Sequence, residues 1–152
     1  MANIFDYVSW RGDLSFKQSP FNIVDNIILS RLSYLPFDGI VSGLKDKSII
    51  PLSEAAAQFF QVKNAGDSHL HDSIIMKDDP ILLEALAKSE RFGKLGLSHY
   101  VNHIDDVREE QFSALTIHTN DGSTFVSYRG TDNTLVGWKE DFNMGFLDKV
   151  PA

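Results

Sequence analysis

The stretch Phe125-Val126-Ser127-Tyr128-Arg129-Gly130-Thr131 joins a strand-like run to a sharp turn and indicates the fold class. Residues 124–128 are mostly β-branched or aromatic, which predicts a strand covered on both faces. Gly130 has no Cβ, so the backbone can turn sharply after the strand. The N–H groups that follow would point beyond the strand end, where they can bind an anion or the oxygen of an acyl-transfer intermediate. Most such turns are only connections, so the pattern alone leaves both interpretations open.

The length and composition favour a single domain whose main partner is neither a membrane nor a nucleic acid. The chain has 152 residues, is 43% apolar, and carries a net charge of −7. The negative charge argues against nucleic acid or an anionic membrane as the main partner. The absence of cysteine excludes disulfides and thiolate chemistry. Neither a signal-peptide pattern nor an apolar stretch of about 18 residues is present, so we expect a cytoplasmic protein without a transmembrane segment.

Residues 1–93 carry the start and stop signals of four short helices, which predicts a helical N-terminal region. The predicted starts are Asn3, Ser19-Pro20, Pro51-Leu52 and Asp79-Pro80. In the second helix, which should end before Pro36, the apolar stripe comprises Phe21, Val24, Ile27, Ile28 and Leu32. In the fourth helix the predicted core positions are Ile81, Leu82, Leu83, Leu86 and Ala87.

Residues 94–152 are predicted to begin a sheet. Three strands are expected at about 96–106, 112–119 and 123–129, and Asn120-Asp121-Gly122 predicts a hairpin between the last two. A helix after Thr131 would present a core stripe of Trp138, Phe142 and Phe146. A sheet of so few strands would leave an open edge that invites self-association.

Two blocks of the sequence resemble a family of hydrolases. Residues 125–131, followed by Trp138 and Asp141, resemble the strand, Arg-Gly-Ser/Thr turn and Trp…Asp helix of the class 3 lipases. From Ile4 through Ala152 the chain is similar to the N-terminal part of a bacterial family of uncharacterised lipase-like α/β-hydrolases. The match is specific in two blocks, residues 4–37, which include Trp-Arg-Gly-Asp-Leu-Ser-Phe, and residues 127–144, which begin with Ser-Tyr-Arg-Gly-Thr-Asp. The resemblance implies an α/β fold, a partial α/β-hydrolase, in a serine hydrolase that cleaves a small acyl ester and uses neither cofactor nor metal.

The resemblance also implies roles for the residues around the turn. The backbone N–H of Thr131 would be an oxyanion donor, after the turn at Gly130. Our own hypothesis for the neighbouring residues is structural: Arg129 pairs with Asp141 or with a nearby carbonyl and fixes the turn, and Trp138 packs the following helix against the sheet. The chain has no Gly-x-Ser-x-Gly nucleophile motif. We therefore expect an N-terminal fragment that is inactive alone, with the nucleophile downstream. The alternative is that the helical region is a non-catalytic binding or regulatory module.

Four weaker patterns have simpler interpretations. Gly96-Leu97-Ser98-His99-Tyr100 matches only the first half of a nucleophile elbow, because Tyr100 is too large for the second glycine position. His69 with His71 suggests a zinc site, but a polar loop is the simpler explanation. Ser42 with Lys45 suggests a serine–lysine catalytic pair, but the two residues fall in a glycine-containing loop. The pairs Asp105-Asp106 and Glu109-Glu110 suggest acid–base chemistry, but an exposed acidic turn explains them more simply.

Overall fold

The computed structural model describes residues 3–64, 77–105 and 110–129, which form a mixed α/β arrangement of helices beside an antiparallel sheet. The helices are α1 (Ile4–Arg11), α2 (Ile23–Ser30), α3 (Leu52–Asn64) and α4 (Asp79–Lys88), with a 3₁₀ turn at Arg31–Tyr34. The strands are β1 (Ile50–Pro51), β2 (Gly96–Asp105), β3 (Glu110–His118) and β4 (Thr124–Tyr128), adjacent in that order. Because hydrolase sheets are normally parallel, the α/β-hydrolase fold stays a prediction.

The first helix begins where the sequence predicts. The Asn3 side chain accepts hydrogen bonds from the backbone N–H groups of Phe5 and Asp6, at 2.9 and 3.1 Å. The Asp6 carboxylate in turn accepts from the Asn3 backbone N–H at 2.9 Å, which completes a capping box. Two donors at the helix start, which have no partner inside the helix, are satisfied in this way.

The predicted start of the second helix at Ser19-Pro20 is wrong. The helix begins after Asn22, whose side chain accepts from the backbone N–H of Val24 at 2.8 Å, while Asp25 accepts from the Asn22 backbone at 3.0 Å. The carbonyl oxygens of Ser19 and Pro20 instead accept hydrogen bonds from a distant arginine. The helix and its 3₁₀ extension do end before Pro36, as expected.

Parts of two predicted apolar stripes are also wrong. Phe21 precedes α2, and Ile27 is 49% exposed, whereas Asp25 lies on the buried side with Ile28 and Leu29. In α4, Ile81 is 59% exposed, although Leu82, Leu83 and Leu86 are buried. A carboxylate occupies a core position in α2 because its charge is paired there, which periodicity of apolar residues cannot show.

A short strand was absent from the prediction. β1 pairs Ile50 with Leu97 and Pro51 with Gly96, inside the region expected to be only helical. The backbone N–H of Leu52, the first residue of α3, donates to the carbonyl of Leu95 at 2.8 Å. α3 therefore starts at the predicted place while its start is hydrogen-bonded to the segment that leads into β2.

The hairpin between β3 and β4 is confirmed. Gly122 has φ +88°, a left-handed conformation that glycine adopts without strain. The Asp121 carboxylate accepts from the Thr119 hydroxyl at 2.6 Å and from the Ser123 backbone N–H at 2.9 Å. These hydrogen bonds lower the pKa of Asp121, and the one from Thr119 has the largest effect.

The prediction that β4 is covered on both faces is wrong. Val126 is 44% exposed and Tyr128 is 62% exposed, whereas Ser127, between them, is buried. One face of the sheet contacts the helices through Leu97, Leu115 and Ile117, which are fully buried. The other face of β4 is open among the described residues. The prediction failed because aromatic and β-branched side chains also suit a strand with one exposed face.

A buried ion pair joins the N-terminal helices to the end of α4. Arg91 donates to both carboxylate oxygens of Asp25, from Nε at 2.8 Å and from Nη2 at 2.5 Å, and both side chains are 0% exposed. Arg91 Nη1 also donates to the carbonyls of Leu14 and Ser19, at 3.0 and 2.9 Å. Burial alone would lower the pKa of Arg91, but the hydrogen bond and charge of Asp25 raise it.

We predict that Asp25→Ala destabilises the fold by about 3–5 kcal/mol, because it leaves the Arg91 guanidinium buried without a counter-charge. Urea unfolding followed by tryptophan fluorescence measures this loss. Glu84→Ala is the matched control, since it also removes one carboxylate from an ion pair, but Glu84 and Lys88 are exposed. Equal shifts of the unfolding midpoint in the two variants would contradict the role of the buried pair.

Candidate functional site

The end of β4 has a fixed direction in the described structure. The backbone N–H of Arg129 donates to the Ser113 carbonyl at 2.9 Å, beyond the last paired residue of the strand. The Ser127 hydroxyl donates to the Ser30 carbonyl at 3.0 Å, and the Ser113 hydroxyl donates to the Ser33 carbonyl at 3.3 Å. Hydrogen bonds to α2 and the 3₁₀ turn therefore anchor both β3 and β4 where the chain reaches Arg129.

Of the predicted site residues, the described structure includes only Arg129. Gly130, Thr131, Trp138 and Asp141 lie outside the described residues. The oxyanion role of Thr131 and the supporting roles of the others thus stay predictions. The described part does place Arg129 directly after β4.

Within the described segments, the Arg129 side chain has buried donors without an acceptor. Its Nε and Nη2 atoms are buried and have no hydrogen-bond acceptor among the described residues. Buried side-chain donors normally have a partner, and leaving one unpaired costs about 1–3 kcal/mol. The sequence predicted that Arg129 pairs with Asp141 or with a nearby carbonyl. Within residues 3–64, 77–105 and 110–129, no carbonyl accepts a hydrogen bond from either of these two nitrogens.

A buried phenol lies within the electrostatic reach of Arg129. Tyr100 is 6% exposed, and its hydroxyl donates to the Leu35 carbonyl at 3.2 Å. Burial, and then the negative charge of Asp38, raise the pKa of Tyr100 to about 12, although Arg129 acts in the opposite direction. This phenol is a hydrogen-bond donor at neutral pH and is too weak an acid to be a general base there.

An open groove lies beside Tyr100 where β2 departs from regular pairing. Its volume is about 530 Å³, and its lining includes Asp38, Val41, Leu44, Lys45, Tyr100 and Asn102. The Asn102 side-chain amide donates to the Asp38 carboxylate at 3.2 Å. Its lining presents both charge signs and apolar carbons, but it includes no serine–histidine pair.

The structure brings together a serine and two histidines that the sequence did not connect. The Ser98 Oγ lies 2.7 Å from His99 Nδ1 and 2.8 Å from His118 Nε2. Strand pairing is interrupted between Ser98 and Val101, and His99 has φ +50° at this bulge. Ser98 is 0% exposed, so a substrate carbonyl cannot reach its hydroxyl in this conformation. The β2–β3 register brings Ser98 close to His118, and local sequence patterns do not specify that register.

Several weaker candidates lack the geometry that their chemistry requires. Ser42 donates to the Ser48 carbonyl at 2.6 Å and lies in a loop with Lys45, not on a helix that would align the two side chains. His69, His71, Asp106 and Glu109 lie outside the described residues, while Asp105 and Glu110 are paired residues of β2 and β3.

Neither a metal site nor a membrane segment is found in the described part of the chain. Within residues 3–64, 77–105 and 110–129, no cluster of three or more histidine, aspartate or glutamate side chains could bind a metal ion. None of the helices in the same segments has the length and apolar character needed to span a bilayer.

The chain is similar to a known family in its C-terminal part. Residues 86–152 match the family described as Mbeg1-like, which is less than half of the sequence. The match begins in α4 and includes β2, β3, β4 and the sequence Arg129-Gly130-Thr131. No curated protein and no solved structure matches the chain.

We predict that one of the four tyrosines ionises only near pH 12, and that Tyr100→Phe removes this late step from the alkaline absorbance titration. Because the folded pKa is raised above 10.0, the associated stability is present below pH 10 and is lost as the pH rises through about 12. Tyr128→Phe is the control, since Tyr128 is 62% exposed. Loss of an ordinary tyrosine titration in Tyr100→Phe would contradict the assignment.

Proposed function

We propose that this chain carries the oxyanion side of a lipase- or esterase-like serine hydrolase, whose nucleophile lies elsewhere in the parent protein. The observation that supports this most is that β4, anchored through Ser127 and Ser113, leads directly into Arg129-Gly130-Thr131. A strand end held by hydrogen bonds suits an oxyanion donor in the residues that follow, since the donor must be held in place before charge develops.

In this proposal Arg129 fixes the turn and does not contact the substrate. Two of its buried nitrogens have no acceptor in the described segments, so an acceptor from the following residues would satisfy them. Asp141 is the partner that we expect from the sequence, and a bidentate arginine–carboxylate pair would determine the position of the turn by two parallel hydrogen bonds.

The chemistry assigned to Thr131 is donation from its backbone N–H to the tetrahedral oxygen of an ester undergoing cleavage. One such donor contributes about 3 kcal/mol to the stabilisation of the transition state in a complete enzyme. The donor alone cannot form an acyl-enzyme, because the nucleophile and its general base must also be present. The 152-residue chain is therefore expected to be inactive.

The test is hydrolysis of short-chain p-nitrophenyl esters by the 152-residue chain and by a longer product of the same reading frame. We expect activity only in the longer protein. Within it, Thr131→Pro, which removes the backbone N–H, should lower kcat by about a hundredfold or more, whereas Thr131→Val keeps the N–H and should retain most activity. Inactivity of both proteins would contradict the proposal and favour a non-catalytic module.

A second function, that of an interaction module, has its own supporting observation. β4 is an edge strand in the described sheet, and its five residues carry no charge. Ser123 accepts a backbone hydrogen bond from Thr119, just beyond β3, and Arg129 donates one to Ser113 in β3. By alternation, Thr124, Val126 and Tyr128 direct their backbone groups away from β3. An uncharged edge without proline can pair with the same edge of a second copy, centred on Val126.

We predict that Val126→Lys weakens self-association of the 152-residue chain, because it would place two like charges together at the centre of the pairing. Analytical ultracentrifugation over a range of concentrations measures the dimer fraction. Ile81→Lys is the control, since Ile81 is also an exposed apolar residue but lies on α4. A protein that stays monomeric at every concentration, or equal effects of the two variants, would contradict pairing through β4.

A further inference from the structure

One side of the sheet carries apolar side chains that the described helices do not cover. Strand alternation places them on the side of β3 and β4 opposite the buried Leu115. This surface, called the open face below, comprises Phe112, Ala114, Val126 and Tyr128. Three of the four are exposed, and the rings of Phe112 and Tyr128 lie 6.0 Å apart between their centroids.

The open face is separate from the core beneath the helices. On the sheet, that core includes Leu97, Leu115 and Ile117, and among the described residues it includes no member of the open face. Val101, which pairs with Ala114 in the β2–β3 register and is partly buried, is not part of that core either. A contiguous exposed apolar surface of this kind marks a contact with a further element or partner.

The residues around the open face indicate what kind of surface fits it. At one end of the β3–β4 pairing His118 lies opposite Thr124, and at the other end Phe112 pairs with His103 of β2. The open face itself has no acidic or basic residue. An apolar centre with a polar rim is the usual anatomy of a packing surface, so the open face fits an apolar stripe better than a charged one.

The described chain ends beside the open face. Tyr128 is the last residue of β4, and residues 130–152 follow Arg129. A connection of four residues reaches at most about 13 Å, and packed layers lie about 10 Å apart. The chain after residue 133 can therefore reach either side of the sheet. On the helical side Leu115 and Ile117 are already fully buried, so the apolar area that remains to be covered is on the open face.

The helix predicted after Thr131 has a matching apolar stripe. Trp138, Phe142 and Phe146 follow one another at four-residue steps, which are about 6 Å each along a helix. Alternate residues on one side of a strand are about 7 Å apart. The two spacings are close enough for the aromatic rings to fit between the side chains of the open face, whereas Glu140 would be on the opposite side of the helix.

The short tether favours this segment over a second copy of the chain. A segment joined to its binding surface by a few residues is present there at an effective concentration in the millimolar range. A second copy would have to bind the open face more tightly than the chain's own aromatic stripe to displace it.

We propose that the open face is the docking surface for the segment that contains Trp138, Phe142 and Phe146. The sheet is then covered on both sides, by the described helices on one and by this segment on the other, and burial of the aromatic side chains drives the contact. The inference is independent of the oxyanion role of Thr131. If both hold, docking also fixes the far end of the connection that carries Thr131.

Fluorescence of Trp138 tests docking in the 152-residue chain. The chain has two tryptophans, and replacing the exposed Trp10 in Trp10→Phe leaves Trp138 as the reporter. We expect its emission at a shorter wavelength than in the urea-unfolded chain. Adding Tyr128→Asp should shift the emission to longer wavelength, because a charge on the open face opposes apolar packing. Ile81→Asp is the matched control, since Ile81 is an exposed apolar residue on α4, and it should leave the emission unchanged.

Crosslinking identifies what covers the open face. The chain has no cysteine, so pairs of cysteines can be introduced without side reactions. Thr116 lies on β3 on the same side as Ala114, and Thr116→Cys combined with Phe142→Cys should give a crosslinked monomer with a short bis-maleimide reagent. Thr116→Cys combined with Glu140→Cys is the matched control, and it should give much less of this product.

Each result either supports or overturns the proposal. Emission from Trp138 in Trp10→Phe at the wavelength of the unfolded chain would overturn it, as would a shift caused by Ile81→Asp and not by Tyr128→Asp. A crosslinked dimer as the main product would assign the open face to a second copy, and equal yields from the two cysteine pairs would exclude a docked stripe. Either would overturn the proposal.

The two readouts are also independent of the proposed hydrolase. The emission of Trp10→Phe is measured with the open face unchanged, so it does not depend on whether the Tyr128 variant folds. Neither measurement involves ester cleavage, so failure of docking and failure of the proposed hydrolase are distinguishable.

Discussion

The described structure depends on the charge pair of Arg91 and Asp25, both fully buried. Removing two charges from water is unfavourable, so such a pair persists only when every remaining hydrogen-bonding group is also satisfied. Carbonyls of the α1–α2 connection accept from Arg91, and the Tyr7 hydroxyl donates to Asp25 at 3.1 Å. The guanidinium also lies over the Phe16 ring, 4.1 Å from its centroid. One side chain after α4 therefore holds the first two helices.

This constraint extends to the candidate site through α2. Because Asp25 fixes α2, the carbonyls of Ser30 and Ser33 are held where the hydroxyls of Ser127 and Ser113 can donate to them. Those bonds anchor the strands from which Arg129 emerges. In the proposed hydrolase, the helical region thus has a physical role in catalysis without contacting substrate, because it positions the strand end that precedes the oxyanion donor. The same hydrogen bonds hold the β4 edge in the alternative interaction module.

The sequence predicted the features that neighbouring residues determine. Asp79-Pro80 and Asn120-Asp121-Gly122 mark a helix start and a hairpin because their own dihedral preferences impose them. Ser19-Pro20 failed as a helix start because Arg91, far along the chain, binds their carbonyls. Arg129 was identified as a supporting residue, but only the three-dimensional structure shows that two of its nitrogens have no acceptor among the described residues. The proximity of Ser98 to His118 depends on strand register, which no local pattern encodes.

The central claim is that the Arg91–Asp25 pair makes the helices and the sheet one cooperative unit. Native-state amide hydrogen exchange of the wild type and of Arg91→Met measures this directly, because it reports the opening free energy of each element separately. The account predicts that protection in α1, α2 and the β3–β4 hairpin falls by the same amount in Arg91→Met. Loss of protection confined to α1 and α2, with the hairpin amides unchanged, would contradict it.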